Sequence, residues 1–221
     1  MKINTIEIDS IQKKFDHKTI LSDVYLKFST GEIVGLLGRN GSGKSTLLKI
    51  IFGIEPADFK FIRINGVLKS KTSYLLQHIS YLDQNHFIPK QFSVKKAILL
   101  SINKNDTYDF YDDAMIQQIK SSFIHELSGG ELRYLEIKIV LYNESQFVFL
   151  DEPYNGLSPI MITKINEIIT KNKSKKGVLI TDHNYNEILK ISTKIILLKD
   201  GKTYLINDIK ELSEKGYLNE N

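Results

Sequence analysis

The sequence predicts an α/β domain with a largely parallel sheet and helices on both faces. Three observations carry that expectation. Residues 32–37, "EIVGLL", form a near-continuous apolar run of strand length, and the glycine-rich stretch "GRNGSGKST" leads from it straight into a helical pattern. Further along, the short apolar segments "FVFL", "GVLIT" and "KIILLK" alternate with helix-length patterns, the signature of a parallel sheet with crossover helices. The chain has 221 residues, enough for one domain carrying a smaller lobe and too few for two full domains.

Taken in order, residues 3–8 alternate apolar and polar and read as a strand, followed by the strand at 32–37. From Ser45, leucine and isoleucine mark one helical face until Gly53 ends it. "FKFIRINGVL" alternates again and predicts a hairpin turning at Asn65 and Gly66. Residues 88–126 are polar and helix-like, with a soft acidic and aromatic patch at 103–113, and read as an inserted helical lobe. Ser128 and Glu131 have the spacing of a capping box at a helix start, and Ser158 with Pro159 supplies an N-cap and first helical residue for another. Lys171, Lys173, Lys175 and Lys176 read as a solvated helix end, with Gly177 as the stop.

Composition excludes several classes. With 42% hydrophobic and 25% charged residues, neither disorder nor a fibrous repeat is indicated. The net charge of +4 comes from mixed charges, so no nucleic-acid partner is expected. No apolar run approaches the roughly eighteen residues that cross a bilayer, and "MKINTIEIDS" lacks a signal-peptide layout. No direct membrane insertion and a cytoplasmic location are the expectations. The absence of cysteine rules out disulfides and thiolate metal sites.

The chemistry begins at Gly38, Arg39, Asn40, Gly41, Ser42, Gly43, Lys44, Ser45 and Thr46. Two glycines separated by four residues, then lysine and a hydroxyl, let backbone N–H groups turn inward around a phosphate at a helix N-terminus. Lys44 supplies a point charge for the β- and γ-phosphates, and the Ser45 hydroxyl suits Mg²⁺. "FVFLDEP" then delivers Asp151 and Glu152 to the end of a buried strand, where open α/β sheets bind ligands. Asp151 would hold hydrated Mg²⁺ and Glu152 would orient or deprotonate the attacking water, with the turn at Pro153 bringing both carboxylates into the site. Gly129 and Gly130 stand in the first turn of a helix, where each costs up to about 1 kcal/mol relative to alanine. Close approach of a second anion to bare amides would account for them.

These motifs identify the chain as resembling the nucleotide-binding subunit of an ATP-binding cassette (ABC) transporter: "GRNGSGKST", "LSGGE" and "FVFLDEP" occur in that family's order. The resemblance implies a P-loop NTPase of ABC ATPase type across residues 1–221. Its core would be largely parallel sheet, with an antiparallel β subdomain and a helical subdomain at about 88–140. It further implies ATP and Mg²⁺ as cofactors and a head-to-tail homodimer in which Ser128, Gly129, Gly130 and Glu131 meet the ATP held by the partner. Gln84 matches the family's glutamine that contacts Mg²⁺ and water, His183 the γ-phosphate histidine, and Phe15 the aromatic platform for adenine. Glu131 stands where glutamine is commoner, Ser158 where an aspartate is usual, and Lys138 and Ile139 where alanine and arginine are common. A separate transmembrane permease is the implied partner, with a lean toward the lipopolysaccharide-export and branched-chain amino-acid branches. The alternatives are a soluble ABC ATPase without a permease and an ATP-binding regulatory module without turnover.

Overall fold

The computed structural model describes residues 3–69, 72–103 and 107–218. Its strands are β1 (Thr5–Phe15), β2 (Lys18–Ser29), β3 (Ile33–Leu37), β4 (Phe59–Ile64), β5 (Val67–Leu68), β6 (Ile79–Leu82), β7 (Phe147–Asp151), β8 (Gly177–Thr181), β9 (Lys194–Lys199) and β10 (Lys202–Ile206). They form one sheet in the order β5-β4-β1-β2-β10-β9-β3-β8-β7-β6. From β9 to β6 every neighbouring pair is parallel, whereas β5, β4, β1 and β2 pair antiparallel. The join is a short parallel contact of β10 with β2 at Lys202 and Asp23.

Helices α1 (Lys44–Phe52), α2 (Thr72–Leu75), α3 (Val94–Ser101), α4 (Thr107–Tyr111), α5 (Ala114–Ile119), α6 (Gly129–Tyr142), α7 (Pro159–Asn172), α8 (Tyr185–Ile191) and α9 (Lys210–Glu214) complete the chain. Two apolar clusters lie around the sheet. In one, Leu47, Leu48, Ile50 and Ile51 of α1 pack with Phe147, Phe149 and the antiparallel strands; in the other, α3 to α7 pack with Val148, Leu150, Val178 and Ile180. Successive β7 residues thus feed opposite clusters, which is why that strand is apolar at every position before Asp151. Burying each such side chain contributes about 1.5–3 kcal/mol.

The structure refines the sequence reading at four places. The first strand runs on to Phe15: Ser10, at φ 53°, breaks the alternation, and register shifts on either side of Ile11 carry the pairing past it. β2, β6 and β10 have no counterpart in the sequence reading. The acidic and aromatic patch is partly buried, since Phe110 is fully covered and packs edge-on to Tyr142 and Tyr111; residues 104–106 of that patch lie outside the described residues.

The fourth concerns the lysine cluster. α7 ends at Asn172, not at Gly177, and Lys176 is 6% exposed, its ammonium donating to the carbonyls of Asn143 and Ser145. Gly177 opens β8 because a Cβ there would stand 2.8 Å from Phe147 and 2.9 Å from the Ser29 carbonyl. A close approach, not a turn, requires that glycine.

Candidate active site

Strand β3 ends at Leu37, and the loop from Gly38 to Gly43 passes into α1 through Gly43, whose φ of 102° places it in the left-handed region. Lys44 is 7% exposed, and its ammonium donates to the Gly38 carbonyl at 2.7 Å and the Arg39 carbonyl at 3.3 Å, closing the loop on itself. Burial pulls its pKa below the usual lysine value, opposed by the nearby charges of Glu152, Asp151 and Asp182. Over the loop lies a cavity of about 420 Å³ lined by Phe15, Ile20, Asn40, Gly41, Gly43, Lys44, Ser45, Thr46, Gln84, Glu152 and His183. Segments separated by well over a hundred residues therefore converge on one loop and one helix N-terminus, an arrangement that receives anions.

Strand β7 brings Asp151 behind that cavity. It is fully buried: Oδ1 accepts from the Ser45 hydroxyl at 3.1 Å and from Thr181 at 3.4 Å, while Oδ2 accepts from Tyr81 at 3.0 Å. Burial raises the Asp151 pKa, and the hydrogen bonds from Ser45 and Tyr81 oppose the rise. Glu152 then leaves the strand. Its φ of 49° is left-handed, and its N–H still donates to the Thr181 carbonyl at 2.8 Å. The two adjacent carboxylates are thus separated by a turn at Glu152 itself, ahead of Pro153, where the sequence had placed the turn. Across the cavity, His183 Nε2 lies 2.7 Å from Glu152 Oε1.

The profile of the ABC transporter family matches residues 21–155, more than half of the chain. This chain belongs to the ABC transporter family. The lipopolysaccharide export system ATP-binding protein LptB of Haemophilus influenzae is 32% identical over 217 residues, covering 90% of this chain and 89% of that protein. LptB of Escherichia coli strain K12 is 32% identical over 214 residues, 89% of this chain and 88% of its own. A probable sulfate/thiosulfate import ATP-binding protein, CysA, of Chlorella vulgaris is 28% identical over 221 residues, 95% of this chain and 94% of that one. Among solved structures, an ATP-binding subunit of an ABC transporter superposes with a TM-score of 0.82 at 21% identity, covering 98% of this chain and 95% of the other. The chain is an ATP-hydrolysing subunit of an ABC transporter with the ABC ATPase fold.

Within this ABC ATPase, the residues singled out by sequence fall into three groups, apart from Gly38, which lines neither cavity and accepts from Lys44. Phe15, Asn40, Gly41, Gly43, Lys44, Ser45, Thr46, Gln84, Glu152 and His183 line the cavity, and Asp151 stands behind Ser45. Arg39 and Ser42 line a neighbouring cavity of about 410 Å³ on the other side of the loop. There Arg39 donates to the Gly216 carbonyl at 2.9 Å, whereas the buried Ser42 hydroxyl has no hydrogen-bond partner among the described residues. Ser128, Gly129, Gly130 and Glu131 do not line that cavity. They form the reciprocal cap of α6, with Ser128 accepting from the Glu131 N–H and Glu131 from the Ser128 N–H.

Three further residues escaped the sequence reading. Ile20 walls the cavity beside Gly43, Tyr81 holds Asp151, and Arg133 reaches the backbone of both acids. Only Tyr81 carried a local hint, standing on a strand three residues before Gln84. The Ile20 contact supports a direct test. A Cβ at Gly43 would meet Ile20 Cγ2 at 2.8 Å, on top of a left-handed φ that costs other residues about 1–2 kcal/mol. Gly43→Ala is expected to weaken ATP binding by about tenfold, read from the nucleotide Kd by equilibrium titration.

Proposed function

We propose that the chain binds Mg²⁺–ATP at the cavity over Gly38–Thr46 and hydrolyses it within a head-to-tail homodimer, driving a separate transmembrane permease. The observation that carries this reading is the convergence of Lys44, Ser45, Gln84, Glu152 and His183 on one cavity, with Asp151 bonded to Ser45. Phe15, 44% exposed at the end of β1, offers a ring face for adenine, and its own contact is with the Lys13 ammonium 4.6 Å from the ring centre. The donor set fits Mg²⁺, which takes hard oxygens and keeps waters and phosphate ligands: Ser45, Asp151 and Gln84 supply oxygen. That ion would neutralise phosphate charge. Lys44 would bind the β- and γ-phosphates, Glu152 would take up a proton from the attacking water, and His183 would hold Glu152 and the γ-phosphate edge.

The dimer explains the signature. A Cβ at Gly129 would meet nothing within 4 Å, and one at Gly130 would make ordinary contacts with Met161 at 3.5 Å and Leu157 at 3.7 Å, so the chain's own packing does not require either glycine. We read them as clearance for the partner's ATP, contacted by Ser128, Gly129, Gly130 and Glu131, and residues 88–140 as the helical subdomain that presents them. No helix among the described residues is long and apolar enough to cross a membrane. We assign the transmembrane path to a separate permease, with the subunit working on the cytoplasmic face. The LptB likeness favours lipopolysaccharide or a similar amphiphile as cargo, and the CysA likeness keeps anion import as the competing reading. Purification of the tagged protein from detergent-solubilised native membranes tests the assembly. A polytopic membrane protein recovered in stoichiometric amount is expected. Recovery of soluble partners alone, from membranes that retain other intact transporters, would favour a soluble ABC ATPase.

A further inference from the structure

We infer that Arg133 is a positioning residue for hydrolysis, clamping the Gln84 loop and the turn at Glu152 onto α6 together with Glu136. The inference rests on the catalytic reading of Gln84 and Glu152 proposed above. Arg133 lies one turn into α6 and is 4% exposed. Its Nη1 donates to the Asp83 carbonyl at 2.7 Å, and its Nη2 to the carbonyls of Asp151 at 3.1 Å and Glu152 at 3.3 Å. Asp83 directly precedes Gln84, so one guanidinium joins the backbone at three of the positions that set the site.

Glu136 completes the clamp one helical turn later. It is fully buried, with Oε1 accepting from the Phe87 N–H at 2.8 Å and Oε2 lying 2.9 Å from His86 Nδ1 and 3.7 Å from Arg133. The loop is therefore held at Asp83 on one side of Gln84 and at His86 and Phe87 on the other. A planar fork of fixed donors can satisfy three carbonyls on two segments at once; a lysine ammonium, compact and set on a flexible stem, cannot reproduce that geometry. The clamp touches neither the phosphate loop nor Lys44, so it acts on the placement of Gln84, Asp151 and Glu152 and leaves the phosphate-loop contacts alone.

The test compares purified full-length protein with Arg133→Lys and Glu136→Gln, each also in a Phe87→Trp background. The chain has no tryptophan and Phe87 is 47% exposed, so the introduced indole reports on this loop alone. Arg133→Lys is expected to lower kcat by about tenfold or more, since small misplacements of catalytic groups carry penalties of that order. The Kd for ATP without Mg²⁺ should stay within about threefold, because the phosphate loop and Lys44 are untouched. Without nucleotide, acrylamide should quench the indole more strongly in the variant. An unchanged kcat overturns the clamp, as does a kcat that falls in step with ATP affinity and melting temperature while quenching is unaltered. If Arg133→Lys fails to fold, Glu136→Gln decides by the same readings, since it keeps an acceptor for Phe87 while removing the charge facing Arg133 and His86. A parent protein that turns over ATP no faster than Glu152→Gln would instead refute the catalytic reading, while the quenching comparison would still test the clamp.

Discussion

Glu152→Gln is expected to lower steady-state phosphate release by about 10²–10³-fold, the usual contribution of a positioned proton acceptor. The amide is nearly isosteric, so the loop cations, Ser45 and the contact with His183 persist, and ATP affinity should change little. An ATP-stabilised dimer, followed by light scattering, should accumulate because its hydrolysis is blocked. The left-handed backbone at Glu152 sharpens the expectation. A side chain held at φ 49° and anchored by its N–H to Thr181 is aimed by the backbone, so replacing its terminal atoms removes the chemistry without re-aiming it. Turnover equal to that of the parent would show that Glu152 is not the proton acceptor.

Lys138→Met is expected to destabilise the fold by about 3 kcal/mol at neutral pH, by the cost of leaving a buried charge without its partner. Lys138 is 2% exposed, and its ammonium lies 2.6 Å from Asp113 Oδ2, which also accepts from the Tyr134 hydroxyl at 2.7 Å. The rings of Phe110 and Tyr142 flank the same ammonium at 5.1 and 5.3 Å. Asp113 Oδ1 meanwhile caps α5 by accepting from the N–H groups of Met115 and Ile116, so one carboxylate joins α6 to the helices before it.

The pair carries its own pH signature. Burial pushes the Asp113 carboxyl up, but the hydrogen bonds from Lys138, Tyr134 and the Ile116 N–H together hold it below its ordinary 3.8. Its contribution is therefore complete above that value and is lost as pH falls through the lower, folded-state pKa. The stability gap between parent and variant, measured by urea titration, should hold from neutral pH down to about pH 4 and close below it. A gap that is constant into strong acid would mean that Lys138 acts through packing alone.

The motifs that were legible in the sequence are short and contiguous. Gly38 to Thr46 occupy a single loop and helix start, Ser128 and Glu131 one helical turn, and Asp151 and Glu152 one strand end. Backbone geometry and hydrogen bonding within a few residues dictate such segments, so residue type and spacing suffice to read them. The hairpin at Asn65 and Gly66 was equally legible, since both adopt positive φ there, as its turn type demands. The long antiparallel strands were harder. Ser10 breaks the alternation of β1, whereas in β2 Val24, Leu26 and Phe28 alternate inward with exposed Tyr25 and Lys27, a local signal that the sequence reading passed over.

Long-range partners were not legible at all. Tyr81 meets Asp151 across 70 positions, Arg133 reaches Asp83 across 50, and Lys176 reaches Asn143 across 33. Nothing in "LSGGELRYLE" separates Arg133 from a solvated helix arginine, and nothing in "TKNKSKKG" separates Lys176 from its exposed neighbours. By itself the sequence determined the family, the glycine-rich loop into α1, the acidic strand end and the helix caps, because each is written in residues that are near neighbours in the chain. Only the tertiary structure decided which charged side chains are buried, which carbonyls they tie together and how Glu152 turns toward His183. Those outcomes depend on desolvation and donor geometry, which exist only once distant segments have packed.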